Sequence, residues 1–291
     1  MLILISDAFD NSLPGALTKF GEVTDDKSRI AEAEVVLIRS KTKVTKEYID
    51  LAQNLKLVIR GGVGLDNVDR EYASARGIAV HNTPAASAIA VAECAFTLMI
   101  GITNHVGRAD SSMREGKWIK KELKRTELYK KTLGIIGLGR IGTELAKRCV
   151  AFGMTIVAFD PFVQNSNYAE MKPDMKNVLN ISDYISLHLP LIDSTRGIIN
   201  FETLKEFKDR SFLINTGRGQ TIVEQDVVDA LKSGKLAGFG NDVWYADPPK
   251  TNPFVGLPNV LMMPHLGAST KENLLRIGEI IENTISEYVN N

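Results

Sequence analysis

Short apolar runs alternate with amphipathic segments along the chain, and that rhythm predicts its elements. "LILIS" (2–6), "AEVVLIRS" (33–40), "LKLVIRGG" (55–62) and "GIAVHN" (77–82) read as strands. "TKEYIDLAQ" and "DREYASARG" read as the helices between them, the mark of a parallel α/β unit. The pattern then changes to one long, strongly apolar helix over 86–109, followed by a polar, Lys-rich segment. A second series begins at "TLGIIGLG" (132–139) and continues with "TIVAFD" (155–160), "YISLHLP" (184–190), "SFLINTG" (211–217), "LAGFGNDVW" (236–244) and "NVLMMPH" (259–265). Helical stretches between them include "RIGTELAKRCVAFG" and "EQDVVDALKSGK", the latter with a Glu start and a Gly stop. Six strands in this rhythm are what a complete dinucleotide-binding domain requires. The last stretch, "STKENLLRIGEIIENTISEYV", opens on a Ser/Thr cap and is too amphipathic to stand alone, so it must dock.

Composition narrows the class. With 291 residues the chain is long enough for two ordinary domains, and 44% apolar with 24% charged residues fits a soluble globular protein. Lys+Arg and Asp+Glu both number 35, so no global charge points to nucleic acid or to an anionic membrane. Cys94 and Cys149 lie in apolar, helix-like contexts and suggest buried thiols in a reducing compartment. No signal peptide and no membrane span are expected, which makes a cytoplasmic protein the default.

"GLGRIG" (137–142) matches G-x-G-x-x-G, a weak signal alone. Here a strand precedes it, a helix follows and an acid, Asp160, closes the next strand. Gly137 would make the tight turn, Gly139 would admit a pyrophosphate and Gly142 would let helix and strand pack. The helix start offers open N–H groups at Arg140 and Ile141. A carboxylate at Asp160 accepts from ribose hydroxyls and repels a 2′-phosphate, which favours NAD over NADP. The competing reading makes Asp160 a turn residue before Pro161.

In open α/β sheets ligands gather outside the carboxyl ends of the strands. Arg218 follows "SFLINTG", Asp242 and Asp247 follow "LAGFG", and His265 follows "NVLMMP". That set suits hydride transfer from a hydroxy acid: the histidine accepts the hydroxyl proton, a carboxylate fixes its tautomer, and the arginine holds the substrate carboxylate. The bland readings are a surface salt bridge for Arg218, turn formation in "ADPP" for Asp247 and a satisfied core residue for His265. The glycines flanking Arg218 favour close approach to a ligand. No metal site is expected, because no second His or Cys stands at ligand spacing. Of the other histidines only His188 is a cofactor neighbour by position.

"LILISD", "IRSKTKVT", "RGGVGLDNVD", "NTP", "MREGKW", "KTLGIIGLGRIG", "NTGRG" and "PHLGASTKE" together resemble the D-isomer-specific 2-hydroxyacid dehydrogenases along nearly the whole chain. "GVGLDNVD" with "PHLGAST" is most similar to the branch that oxidises D-3-phosphoglycerate to 3-phosphohydroxypyruvate in serine biosynthesis. The resemblance implies two doubly wound parallel-sheet domains, a Rossmann-type NAD domain (91–266) inserted into a flavodoxin-like substrate domain (1–90 and 267–291). It implies Arg218, Asp247 and His265 as the catalytic trio. Val63, Gly137, Gly139, Arg140, Ile141, Gly142, Asp160, His188, Leu189, Pro190, Thr216, Gly217, Asp242 and Gly267 would line the cofactor, with Asp242 near the carboxamide. Backbone N–H groups of Gly62, Val63 and Gly64 would hold the substrate carboxylate. Arg39, Arg60 and Lys120 would face its phosphate, Lys120 from across a homodimer contact to which helix 86–109 contributes, and Ser40 would also bind substrate.

Two departures stand out. The family usually has glutamate where this chain has Asp247, and the lost methylene shortens the reach by roughly 1.5 Å. Either the backbone moves closer, a water bridges to His265, or the imidazole is less firmly held. The chain also ends just past the returning helix, so feedback by serine through a further domain is not expected. The alternatives are a reductase of glyoxylate, hydroxypyruvate or another short 2-keto acid, and a non-catalytic NAD sensor.

Overall fold

Every strand with a long apolar run does form, and all pair in parallel. The computed structural model describes residues 1–290. Two units divide it, one from Met1–Ser87 plus the segment from Ala268 onward, the other Ala88–Gly267; the expected divisions were at 90/91 and 266/267.

The first unit holds β1 (Leu2–Ile5), β2 (Glu22–Thr24), β3 (Val35–Ile38), β4 (Leu57–Arg60) and β5 (Ala79–Asn82) in the order β2-β1-β3-β4-β5, the flavodoxin-like arrangement. Its central strands are buried on both faces, which is why they read as unbroken apolar runs. Thr45 and Asp69 cap the helices Lys46–Leu51 and Arg70–Ala75 through their side chains. The returning helix Lys271–Asn290 docks here: Ile277, Ile281 and Ile285, one turn apart, are fully buried beside Ile3, Leu17, Leu37 and Ile59.

The second unit holds β6 (Thr132–Ile136), β7 (Thr155–Phe159), β8 (Glu170–Met171), β9 (Tyr184–Leu187), β10 (Ser211–Asn215), β11 (Leu236–Asn241) and β12 (Val260–Met262). The order β8-β7-β6-β9-β10-β11-β12 is the doubly wound dinucleotide pattern with one strand added at the end. A separate apolar core covers each face of this sheet.

The long apolar stretch is not one helix. Ala88–Thr103 and Val106–Arg114 meet at a 62° bend, with His105 in the left-handed region (φ 54°) between them. No single helix among the described residues is long and apolar enough to cross a membrane, and most of Ala88–Thr103 is buried against the second sheet. Both cysteines are free, and burial pushes the Cys94 and Cys149 thiols up to about 12.

Candidate functional site

At the carboxyl end of β6 the chain turns at Gly137, whose φ of 94° suits glycine alone. A side chain there would also meet the His188 carbonyl at 2.7 Å. Gly139 caps the helix Arg140–Ala151, so the first N–H groups of that helix face outward at the strand ends. Asp160, at the end of β7, accepts the Leu138 N–H on one oxygen and the Phe162 N–H on the other, each at 2.8 Å. The two readings of this residue therefore coincide: it closes a turn, and each oxygen keeps acceptor capacity for a ribose hydroxyl. His188 ends β9 with Nε2 3.0 Å from the Ser186 hydroxyl, while its buried Nδ1 has no hydrogen-bond partner. Burial lowers this imidazole to about 4 and keeps it neutral. Thr216, beyond β10, carries a buried hydroxyl that also lacks a partner. Two orphaned polar groups, an open helix start and an acid at the next strand end are a donor and acceptor set that fits NAD.

His265 is the second left-handed residue of interest, with φ 57° beyond the end of β12. Asp242 holds it in place: nearly fully buried, it accepts Leu266 N–H and Gly267 N–H, both at 2.7 Å. Desolvation raises the Asp242 carboxyl, and the two N–H groups work against that shift. The expectation for Asp242 was the carboxamide; its observed partners are the turn behind His265. Gly267 likewise lies against the Asp242 carboxylate.

Asp247 reaches His265 directly. One carboxylate oxygen is hydrogen-bonded to Nδ1, so no bridging water is needed and the short acid suffices. The imidazole remains 36% exposed, with Nε2 the ring atom left for a substrate. Arg218 leaves the end of β10, and its backbone is fixed by Asn215 and Thr221, which both donate to its carbonyl. Gly219 has a packing reason of its own, because the backbone of Trp244 and Tyr245 lies against it.

In the first unit, Arg39 and Arg60 come from the adjacent carboxyl ends of β3 and β4. Desolvation lowers the half-buried Arg39 guanidinium, whose Nε has no hydrogen-bond partner. Asp7, at the end of β1, accepts the Arg39 N–H at 2.6 Å and both donors of Thr42. Asn67 ties the carbonyls of Arg39 and Thr42, at 2.7 and 2.6 Å. Ser40 is exposed beside them. Gly62 departs from expectation: its N–H donates to the buried Thr83 hydroxyl at 2.8 Å, which leaves Val63 and Gly64 as the loop's donors. Lys120 lies exposed in the second unit. Asp7, Asn67 and Thr83 were missed, although the strand-end rule used for the second unit would have flagged Asp7 and Thr83 in the first.

Residues 96–267 match the family model described as "D-isomer specific 2-hydroxyacid dehydrogenase, NAD binding domain". The hydroxypyruvate reductase of Thermotoga maritima is 45% identical over 89% of this chain and 86% of that protein. The D-3-phosphoglycerate dehydrogenase of Methanocaldococcus jannaschii is 40% identical over 99% of this chain, which spans 57% of that longer protein. Among solved structures, the D-lactate dehydrogenase of Aquifex aeolicus, complexed with NAD and lactic acid, superposes with a TM-score of 0.87 at 26% identity, over 100% of this chain and 96% of that one.

Proposed function

Because the chain belongs to the D-isomer specific 2-hydroxyacid dehydrogenase family and is an NAD-dependent enzyme of that kind, we propose that it interconverts D-3-phosphoglycerate and 3-phosphohydroxypyruvate. NAD, when bound, supplies the hydride acceptor. His265 Nε2 takes the hydroxyl proton in oxidation and returns it in reduction. Asp247, on Nδ1, holds the tautomer and stabilises the imidazolium. Arg218 polarises the oxygen next to the reacting carbon through its fork of donors. The helix start at Arg140 and Ile141, the Thr216 hydroxyl, His188 and Asp160 would hold the cofactor.

The observation that carries the choice of substrate is the pair Arg39 and Arg60 on neighbouring strand ends, one of them a desolvated guanidinium with an unmatched donor. Such a group is stabilised by a multiply charged anion. A second reading, reduction of hydroxypyruvate, is favoured by the Thermotoga maritima relative, which has the higher identity. Steady-state kinetics on both substrates decide. Alanine at Arg39, Arg60 and Lys120 should raise KM for phosphoglycerate by tenfold or more, about one lost charge-assisted bond's worth, and leave hydroxypyruvate nearly unaffected. Equal effects on both would reject the phosphate assignment.

We read the protein as a cytoplasmic homodimer acting on small molecules, with no nucleic-acid or membrane partner. Exposed Ile89, Val106, Met113 and Trp118, in and just after the bent helix pair, support a subunit contact there. Light scattering should give twice 32.0 kDa.

A further inference from the structure

Apart from Lys120, the Lys-rich segment before β6 has no part in the chemistry above, yet two more of its lysines come together in one place. Lys124 and Lys131 from that segment, Arg210 from the turn before β10 and His105 from the helix bend line one cavity of about 280 Å³. It opens at the amino ends of β6, β9, β10 and β11, the opposite edge of the sheet from His265. We propose that this cavity is a second binding site, for a small phosphate-bearing anion.

Charge is the first argument. Lys124, Lys131 and Arg210 make no ion pair among the described residues. The single carboxylate in the lining, Asp183, is already committed to Lys208 at 2.7 Å and to the Thr132 N–H at 2.9 Å. One carboxylate, shared between Lys208 and the field of Lys131, leaves the lining with an excess of positive charge that an anion would offset.

The wall of the cavity is the second argument. Tyr184 is 1% exposed and stacks on Phe212, with ring centroids 5.1 Å apart, to form part of the lining. Its hydroxyl is enclosed beside that of Thr103, another residue of the lining, so this wall is rigid. Phosphate presents several acceptor oxygens, enough for two ammonium groups and a guanidinium fork together. The backbone adds a third sign, since His105 and Arg210 both hold left-handed conformations (φ 54° and 61°) that such residues seldom adopt without a reason.

Equilibrium dialysis of the full chain against radiolabelled inorganic phosphate tests the proposal. With NADH present to fill the glycine turn, the Arg39→Ala/Arg60→Ala variant, which removes the substrate-phosphate contacts, should keep one saturable site. Lys131→Gln/Arg210→Gln should weaken that site by about tenfold or more, while NADH binding and circular dichroism stay unchanged. Glycerol 3-phosphate that displaces the label at lower concentration than unlabelled phosphate identifies the occupant as an ester; weaker displacement identifies the free ion. No saturable binding at millimolar phosphate, loss of all binding in Arg39→Ala/Arg60→Ala, or an unchanged isotherm in Lys131→Gln/Arg210→Gln would overturn it.

Discussion

At the scale of single residues, the chemistry rests on one imidazole and the acid behind it. Asp247 is one methylene shorter than the glutamate the resemblance led us to expect, yet it touches Nδ1 directly. A charged partner at that atom matters most when the ring becomes positive, so it should affect rate more than binding. His265→Ala should lower kcat by roughly 10²–10⁴-fold, the usual worth of general acid–base catalysis. Asp247→Asn, which keeps the shape and loses the charge, should fall between that variant and the native enzyme, with KM little changed. Asp247→Glu should retain most of the activity if the turn before Pro248 can shift by the extra methylene. A near-native kcat for both His265→Ala and Asp247→Asn would remove the pair from the reaction.

At the scale of elements, what the sequence made legible follows from burial. The central strands are enclosed on both faces and so carry long apolar runs, whereas β2 and β8, at sheet edges, are three and two residues long and carry none. The bend at His105 coincides with the polar run Thr103-Asn104-His105, where the apolar pattern stops, and the left-handed backbone there fixes it. In the site, strand ends pointed to Arg218, Asp242 and His265, but not to what Asp242 does there. Its hydrogen bonds go to N–H groups of Leu266 and Gly267, and a backbone donor leaves no trace in residue identity. The end of β9 carries a further consequence. His188 is lowered from 6.5 to about 4 by burial, so below pH 6.5 the unfolded chain binds a proton that the folded chain refuses. Stability from this group is complete above pH 6.5 and is lost as pH falls toward 4. Urea unfolding across that window should show the loss in the native chain and a flatter dependence in His188→Gln; parallel curves would mean that the imidazole is not held neutral.

At the scale of the whole molecule, the chain leaves its first unit, builds the second and returns with one helix. The two units draw on different cores. Both apolar clusters of the second sheet lie within residues 92–263, and they include nothing from the returning helix. The first unit depends on that helix, because Ile277, Ile281 and Ile285 are fully buried in one of its two clusters. Burying three such side chains contributes about 5–9 kcal/mol, comparable to the whole stability of an ordinary domain. Ending the chain after Gly267 should therefore unfold the first unit and abolish turnover of any hydroxy acid. The second unit should survive, since its glycine turn, Asp160, His188 and Thr216 all come from its own strands. NADH titrated into the truncated chain by fluorescence should bind with an affinity within about tenfold of the full chain's, with protease protection confined to residues 88–267. Loss of NADH binding on truncation would show that the cofactor unit does not stand on its own cores, whereas retained turnover would show that the first unit does not need its last helix.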